Sequence, residues 1–223
     1  MKKKNIEIKT KRMLLQPMSD DEIAELIERT EDEELREAYG EMLEGSRSNP
    51  EDRIWYAPWK MVLRDSQESV GDVCFKGPVK EHAVEIGYGV LPEYAGNGYA
   101  TEAVRVMTQW AFGQKDVVFV EAETDPENNP SRRVLEKCGF QPDGTGKEGP
   151  RFVLESPVED LATIYMCCGM CIGMSIGSQH EQMALGLAVG LSLGLGIGSF
   201  ISMSAKKERE KLRQKRKALQ NGD

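Results

Sequence analysis

Gly96 and Gly98 stand one residue apart in the run Glu93-Tyr94-Ala95-Gly96-Asn97-Gly98-Tyr99-Ala100-Thr101-Glu102-Ala103. The residues before it, Ala83 to Pro92, alternate in polarity and read as a strand, and Thr101 to Trp110 read as a helix. The glycines therefore fall at a strand-to-helix turn. Unpaired backbone N–H groups and the positive end of a helix dipole converge there, and such a volume binds phosphate. Glycine also lets a ligand come close to the backbone. On this reading Gly96, Asn97, Gly98, Tyr99 and Ala100 contact a pyrophosphate. The spacing is not that of a dinucleotide fold, since Thr101 stands where a third glycine belongs, and no Gly-Lys-Ser/Thr of a P-loop follows. A tight turn that binds nothing is the plain alternative.

Three further residues could do chemistry. Glu85 sits mid-strand ahead of the glycine turn, and Asn128 and Ser131 open a later helix. The segments Glu85-Ile86-Gly87-Tyr88, Pro92 to Ala103, and Asn128-Asn129-Pro130-Ser131 through Gly139-Phe140 occur in that order. Together they resemble the core motifs of the GNAT N-acetyltransferases, most of all the branch of ribosomal-protein N-terminal-alanine acetyltransferases, over about residues 5–155. The resemblance implies acetyl-CoA as cosubstrate, with no metal, and a primary amine as acceptor. It places Val90 and Leu91 against the pantetheine amides as an extra strand would lie. It puts Asn128 on the pantetheine arm or in the loop, and makes Ser131 a donor to the departing sulfur. Glu85 is then the general base, directly or through water, or else a hydrogen-bond partner of the acceptor. Capping of the helix is the other reading of Asn128 and Ser131. The chain departs from the pattern at Leu135, where many of the family carry a tyrosine acid, and at Glu93, where Gln or Arg is usual.

The elements that must position these residues can be read along the chain. Lys11 to Pro17 is a first strand, and Ser19 with Glu22 forms a capping box before Ile23, Leu26 and Ile27. A second helix runs from Glu31 to Leu43. Trp59–Arg64 and Val70–Phe75 form a hairpin across Asp65 to Ser69, and Trp55, Tyr56 and Trp59 are core or pocket wall. Asp116–Ala122 is a strand, Pro130–Lys137 a helix ended by Gly139, and residues 140–155 hold two last strands. Strands alternate with helices but hairpins occur too. The expectation is an α/β GNAT acyl-CoA N-acyltransferase fold: a mixed, mostly antiparallel sheet flanked by helices.

Charge is divided unequally. Residues 161–223 carry 8 Lys/Arg and 4 Asp/Glu, while the whole chain of 223 residues has net charge −8. The acidic part argues against nucleic acid and for a cationic partner: a basic peptide N-terminus, a polyamine or a small amine. Between Asp20 and Glu44 lie 12 acidic and 2 basic residues, a solvated face or an acidic border to the acceptor site. Met1-Lys2-Lys3-Lys4 leads into polar residues, which argues against a cleavable leader, and five cysteines without framework spacing suit a reducing cytosol. Cys168 and Cys171 read as small hydrophobes in a packed helix rather than metal ligands.

After residue 160 the composition changes. Leu161–Ser178 and Met183–Ala205 hold no charge, and Lys206 to Lys217 follow with eight positive charges. Gly169, Gly173 and Gly177 recur every four residues, as do Gly186, Gly190, Gly194 and Gly198. Such stripes let helices pack closely in lipid, and the basic flank sets orientation by the positive-inside rule. The expectation is a GNAT domain over 1–157, a transmembrane helical hairpin over 158–205 and a basic cytoplasmic tail over 206–223. Helix-mediated homo-oligomers are an option, and His180 is polar filler in the connecting turn. A soluble oligomerising tail, a non-catalytic acyl-CoA-binding module, and a membrane assembly protein carrying a soluble domain are the competing readings.

Overall fold

The computed structural model describes residues 6–157, 161–179 and 181–220. Met1 to Lys4 and His180 lie outside the described residues. The chain divides into two compact units, Met1–Ser156 and Pro157–Asp223.

The first unit is built on one eight-stranded sheet: β1 (Ile8–Lys9), β2 (Met13–Pro17), β3 (Trp59–Leu63), β4 (Ser69–Phe75), β5 (Ala83–Val90), β6 (Phe119–Glu123), β7 (Gln141–Thr145) and β8 (Pro150–Glu155). Their order is β1-β2-β3-β4-β5-β6-β8-β7. β5 and β6 run parallel, because α3 (Tyr99–Phe112) crosses between them, and the other described pairs are antiparallel. Trp59, Phe75, Phe119, Phe140, Met107 and Leu135 are fully or almost fully buried in the core. Trp55, Trp59, Phe75 and Trp110 stack within it at ring separations of 5.1 to 5.8 Å. The Trp55–Trp59 segment is therefore core, while Tyr56 packs at its margin.

The Ser19–Glu22 capping box is formed and starts α1 (Asp20–Arg29). Some boundaries shift from the sequence reading. A short β1 precedes the first strand, and the second helix, α2 (Glu33–Ser48), starts later, at the Asp32 cap, and runs past Gly40 and Gly45. The ring of Tyr56 fills the space a Gly45 side chain would take. β6 begins at Phe119 rather than Asp116, because Asp116 takes a left-handed backbone (φ 65°) that breaks the strand. α4 (Asn129–Cys138) ends at Gly139 in the left-handed cap its position calls for (φ 92°).

The second unit is two helices, α5 (Leu161–Gln179) and α6 (Met183–Gln220). Both are long and apolar enough to cross a membrane by length and composition. The glycine stripes face each other. A Cβ at Gly173 would collide with the Gly186 carbonyl, and one at Gly190 with the Gly169 carbonyl. Cys167, Cys168 and Cys171 are exposed within this unit, since glycine and not cysteine makes the helix–helix contact. α6 does not stop at Ala205 but continues through the basic segment, whose Lys, Glu, Arg and Gln are all good helix formers.

Candidate active site

The parallel pairing of β5 with β6 is brief. Ala83, Val84 and Glu85 pair with Phe119, Val120 and Glu121, and beyond them the strands part. Backbone groups alternate in direction along a strand. The Glu85 carbonyl accepts from the Lys76 N–H, and the Leu91 N–H donates to the Val70 carbonyl, so these two face β4. Those of Ile86, Tyr88 and Val90 consequently face the wedge where β6 has left. Of the two expected pantetheine partners, Val90 has its polar groups toward the wedge, whereas the Leu91 N–H is already engaged and its side chain is exposed.

At the end of β5 a 3₁₀ turn, Pro92–Tyr94, leads into Gly96 and Gly98, both left-handed (φ 79°). Gly98 is the N-cap of α3 and offers no side-chain cap. Among the described residues no protein acceptor takes a hydrogen bond from the N–H of Gly96, Asn97, Gly98, Tyr99, Ala100 or Thr101. Free donors of this kind at a helix start are the groups that an anion-binding site requires. Asn97 braces the turn, its amide donating to the Tyr94 carbonyl at 3.0 Å.

A residue the sequence reading missed holds this loop. Arg12 donates to the Asn97 carbonyl (3.0 Å) and to the Glu102 carboxylate (2.8 Å), and its guanidinium stacks 4.4 Å from the Tyr99 ring centroid. The Arg12 N–H and the Thr10 hydroxyl also bond Glu102. The partners are about ninety positions apart, so no local pattern signals them.

α4 begins across the wedge. The Asn128 side chain accepts from the Ser131 N–H at 3.0 Å, so the capping role is real, while its amide protons stay available. The Tyr88 hydroxyl reaches Ser131, 2.9 Å from the Ser131 Oγ and donating to its carbonyl at 3.1 Å. Leu135 is wholly buried in the core and turned away from chemistry. Tyr88 thus brings a phenol to Ser131 from the strand. Burial pushes its pKa up to about 12, so the hydroxyl keeps its proton at neutral pH.

The opposite face of β4 and β5 floors a cavity of about 730 Å³ covered by α2. Lys76 and Glu148 line one end, and the Lys76 ammonium lies 2.6 Å from Glu148 and 2.8 Å from the Glu85 carboxylate next to it on β5. Burial raises the Glu85 pKa above its ordinary value. Lys76 opposes this, and Glu123 and Glu148 add to it. Asp72 lies at the other end and accepts from the Tyr39 hydroxyl at 2.8 Å. Burial pushes the Asp72 pKa up to about 6 and that of Cys74, between the two ends, up to about 12. Cys74 is therefore a neutral thiol and no nucleophile.

Asp72 has a consequence for stability. Its folded pKa is above the unfolded value of 3.8, so the folded state binds this proton more tightly. That stabilisation is complete below the unfolded pKa and is lost as pH rises through about 6. At about 1.4 kcal/mol per unit, discounted for partial exposure, it amounts to about 2 kcal/mol. Asp72→Asn, which keeps an acceptor for Tyr39, should gain about that much at about pH 8 over wild type and little near about pH 3.5, below the unfolded pKa. Urea unfolding at the two pH values measures it, and an equal difference at both would sink the assignment.

A family model for the GNAT acetyltransferase domain matches residues 12–141. The uncharacterized N-acetyltransferase YnaD of Bacillus subtilis (strain 168) is 34% identical over 88 residues, 40% of this chain and 52% of YnaD. The chain thus spans about half the length of the curated relatives it matches. Among solved structures, a ribosomal-protein alanine acetyltransferase from Vibrio fischeri aligns with TM-score 0.55 and 16% identity, over 70% of this chain and 98% of that one. Mycobacterium smegmatis RimJ, in complex with CoA-disulfide, aligns with TM-score 0.54 and 20% identity, over 69% and 88%. These likenesses share the mixed sheet and flanking helices described above, and with the family match over more than half its length the chain belongs to the GNAT acetyltransferase family.

Proposed function

We propose that this protein is an N-acetyltransferase that moves the acetyl group of acetyl-CoA to a primary amine. The observation that carries the reading is the row of unbonded N–H groups from Gly96 to Thr101 at the mouth of the β5–β6 wedge. Gly96, Asn97, Gly98, Tyr99 and Ala100 hold the pyrophosphate. Val90 pairs with the pantetheine arm, Leu91 covers it with its side chain, and Asn128 donates to it. Acetyl-CoA supplies the activated thioester. In the transfer a C–N bond forms as the C–S bond breaks. Glu85 takes the amine proton, directly or through water, once Lys76 yields its place beside the carboxylate. Ser131, backed by the Tyr88 hydroxyl, returns a proton to the sulfur. Positioning and proton handling are the whole demand on the protein.

The second unit, on this proposal, spans a membrane as a hairpin over 158–205, with the basic tail 206–223 and the domain 1–157 both on the cytoplasmic side, where acetyl-CoA is.

Gly98→Val tests the phosphate loop. A β-branched residue at this left-handed φ costs about 1–2 kcal/mol locally and places methyl groups beside the free amides. Titration calorimetry of the folded variant should show acetyl-CoA affinity reduced by at least about tenfold. Unchanged affinity in a folded protein would remove the loop from cofactor binding.

A further inference from the structure

The two ends of the cavity under α2 differ in one respect. The charged residues of its lining are five carboxylates, Asp32 at the α2 cap, Glu34 and Glu41 on α2, Asp72 on β4 and Glu148 on the β7–β8 turn, against one cation, Lys76. At the Glu85 end the chain supplies its own cation, since Lys76 lies between Glu85 and Glu148. At the other end the Asp72 carboxylate is sunk into the wall with the Tyr39 hydroxyl on one oxygen, and no Lys, Arg or His among the described residues is ion-paired to it. Carboxylates withdrawn from water are ordinarily paired.

The floor between the ends is bare. Asp72 pairs with Gly89 and Cys74 with Gly87, so β5 presents no side chain on this face until Glu85. A Cβ on Gly87 would press on the Cys74 sulfur at 3.1 Å. From Gly89 to Glu85 is four residues, about 14 Å of strand at ~3.4 Å each. The result is an acidic trough with an unmatched carboxylate at one end and the proposed base at the other.

We propose that this trough selects acceptors carrying a second cationic group, with Asp72, oriented by Tyr39, receiving the remote cation while the reacting amine lies at the Glu85 end. The inference rests on the amine-acetylation reading above. The chemistry is an alkyl or peptidyl amine with another ammonium several methylenes away, which a polyamine and a lysine-bearing peptide N-terminus share. A neutral substituent there would leave Asp72 desolvated and unpaired, which is how the site discriminates.

The test uses the full chain with acetyl-CoA and follows thiol release. Butylamine is compared with diaminobutane and spermidine, and the dipeptide Ala-Ala with Ala-Lys, so the two arms separate a polyamine from a peptide source. Each dication should exceed its monocation by at least about tenfold in kcat/KM in one arm. Asp72→Asn should bring that ratio near one with the acetyl-CoA Kd unchanged, and Tyr39→Phe should lower it part-way. Equal kcat/KM for both members of each pair in wild type overturns the proposal, as does an Asp72→Asn variant that keeps the ratio. If acetyl-CoA is not turned over with any amine, the acetylation reading fails by itself. Calorimetric binding of spermidine and of Ala-Lys then decides the trough: binding weakened at least about tenfold by Asp72→Asn upholds it, and no binding to wild type, or equal binding to both proteins, overturns it.

Discussion

Gly71→Ala is expected to destabilise the GNAT domain by about 3 kcal/mol and to lower its melting temperature by roughly 10 °C. Gly71 sits in β4 opposite Val90 with φ 149°, a backbone that L side chains rarely adopt. A Cβ there would collide with the Gly89 carbonyl and lie 2.8 Å from Met61 Cε and 2.9 Å from Val90 Cα. Two of these neighbours are backbone, so the methyl can be admitted only by prising β5 from β4. Backbone strain of about 1–2 kcal/mol and overpacking of about 1–3 kcal/mol act together. Because β5 carries Glu85, Tyr88 and Val90, cofactor affinity should fall as well. Gly89→Ala is the control: its Cβ would meet Asp72 Oδ1 at an ordinary 3.8 Å. All three tryptophans of the chain, Trp55, Trp59 and Trp110, pack in this core, so their fluorescence follows the unfolding of this unit. Equal stability of the two glycine variants would refute the claim that β4–β5 contact demands glycine at 71.

The second large effect concerns location. Removing residues 157–223 is expected to move the protein from the membrane pellet entirely to the supernatant, with acetyl-CoA affinity retained. The motivation is two apolar helices whose small faces are already spent on each other, leaving Ile164, Ile172, Ile176, Leu185, Val189, Leu193 and Phe200 exposed. In water so large an apolar surface is a liability, whereas in hydrocarbon it is matched. A full-length chain that stays in the supernatant after high-speed centrifugation, or leaves the pellet in alkaline carbonate, contradicts the hairpin. The same geometry bears on assembly. The expected homo-oligomer drew on the glycine stripes, but those stripes pair within one chain, so a second copy would meet branched and aromatic side chains instead.

Much of the fold was legible in the sequence because its signals are local. The capping box at Ser19, the αL stop at Gly139 and the glycine turn before α3 each depend on a few adjacent residues. Alternating polarity located most strands. Failures arose where a distant partner decided the outcome. Gly45 stays in a helix because Tyr56 packs on it. Arg12 meets Glu102, Tyr88 meets Ser131, and Tyr39 meets Asp72 across 90, 43 and 33 positions of chain. The motif residues Gly96 to Ala100, Asn128 and Ser131 do gather round one wedge, whereas the polar pairs that brace and tune them follow from topology alone. The glycine stripes were readable, but their partner was not.

If acetyl-CoA binds as proposed, the early parting of β5 and β6 also ties folding to metabolism. The two halves of the sheet are joined there by three residue pairs, where neighbouring strands share five. On the proposed function, a ligand lying in the wedge would act as the strand that is missing and would bind the folded chain only. Each tenfold rise in free ligand above its Kd then adds about 1.4 kcal/mol to stability. In a cell supplied with acetyl-CoA the enzyme would be long-lived. In a starved one the sheet would open more often to proteases, so that supply of the acyl donor would set the abundance of the catalyst as well as its rate.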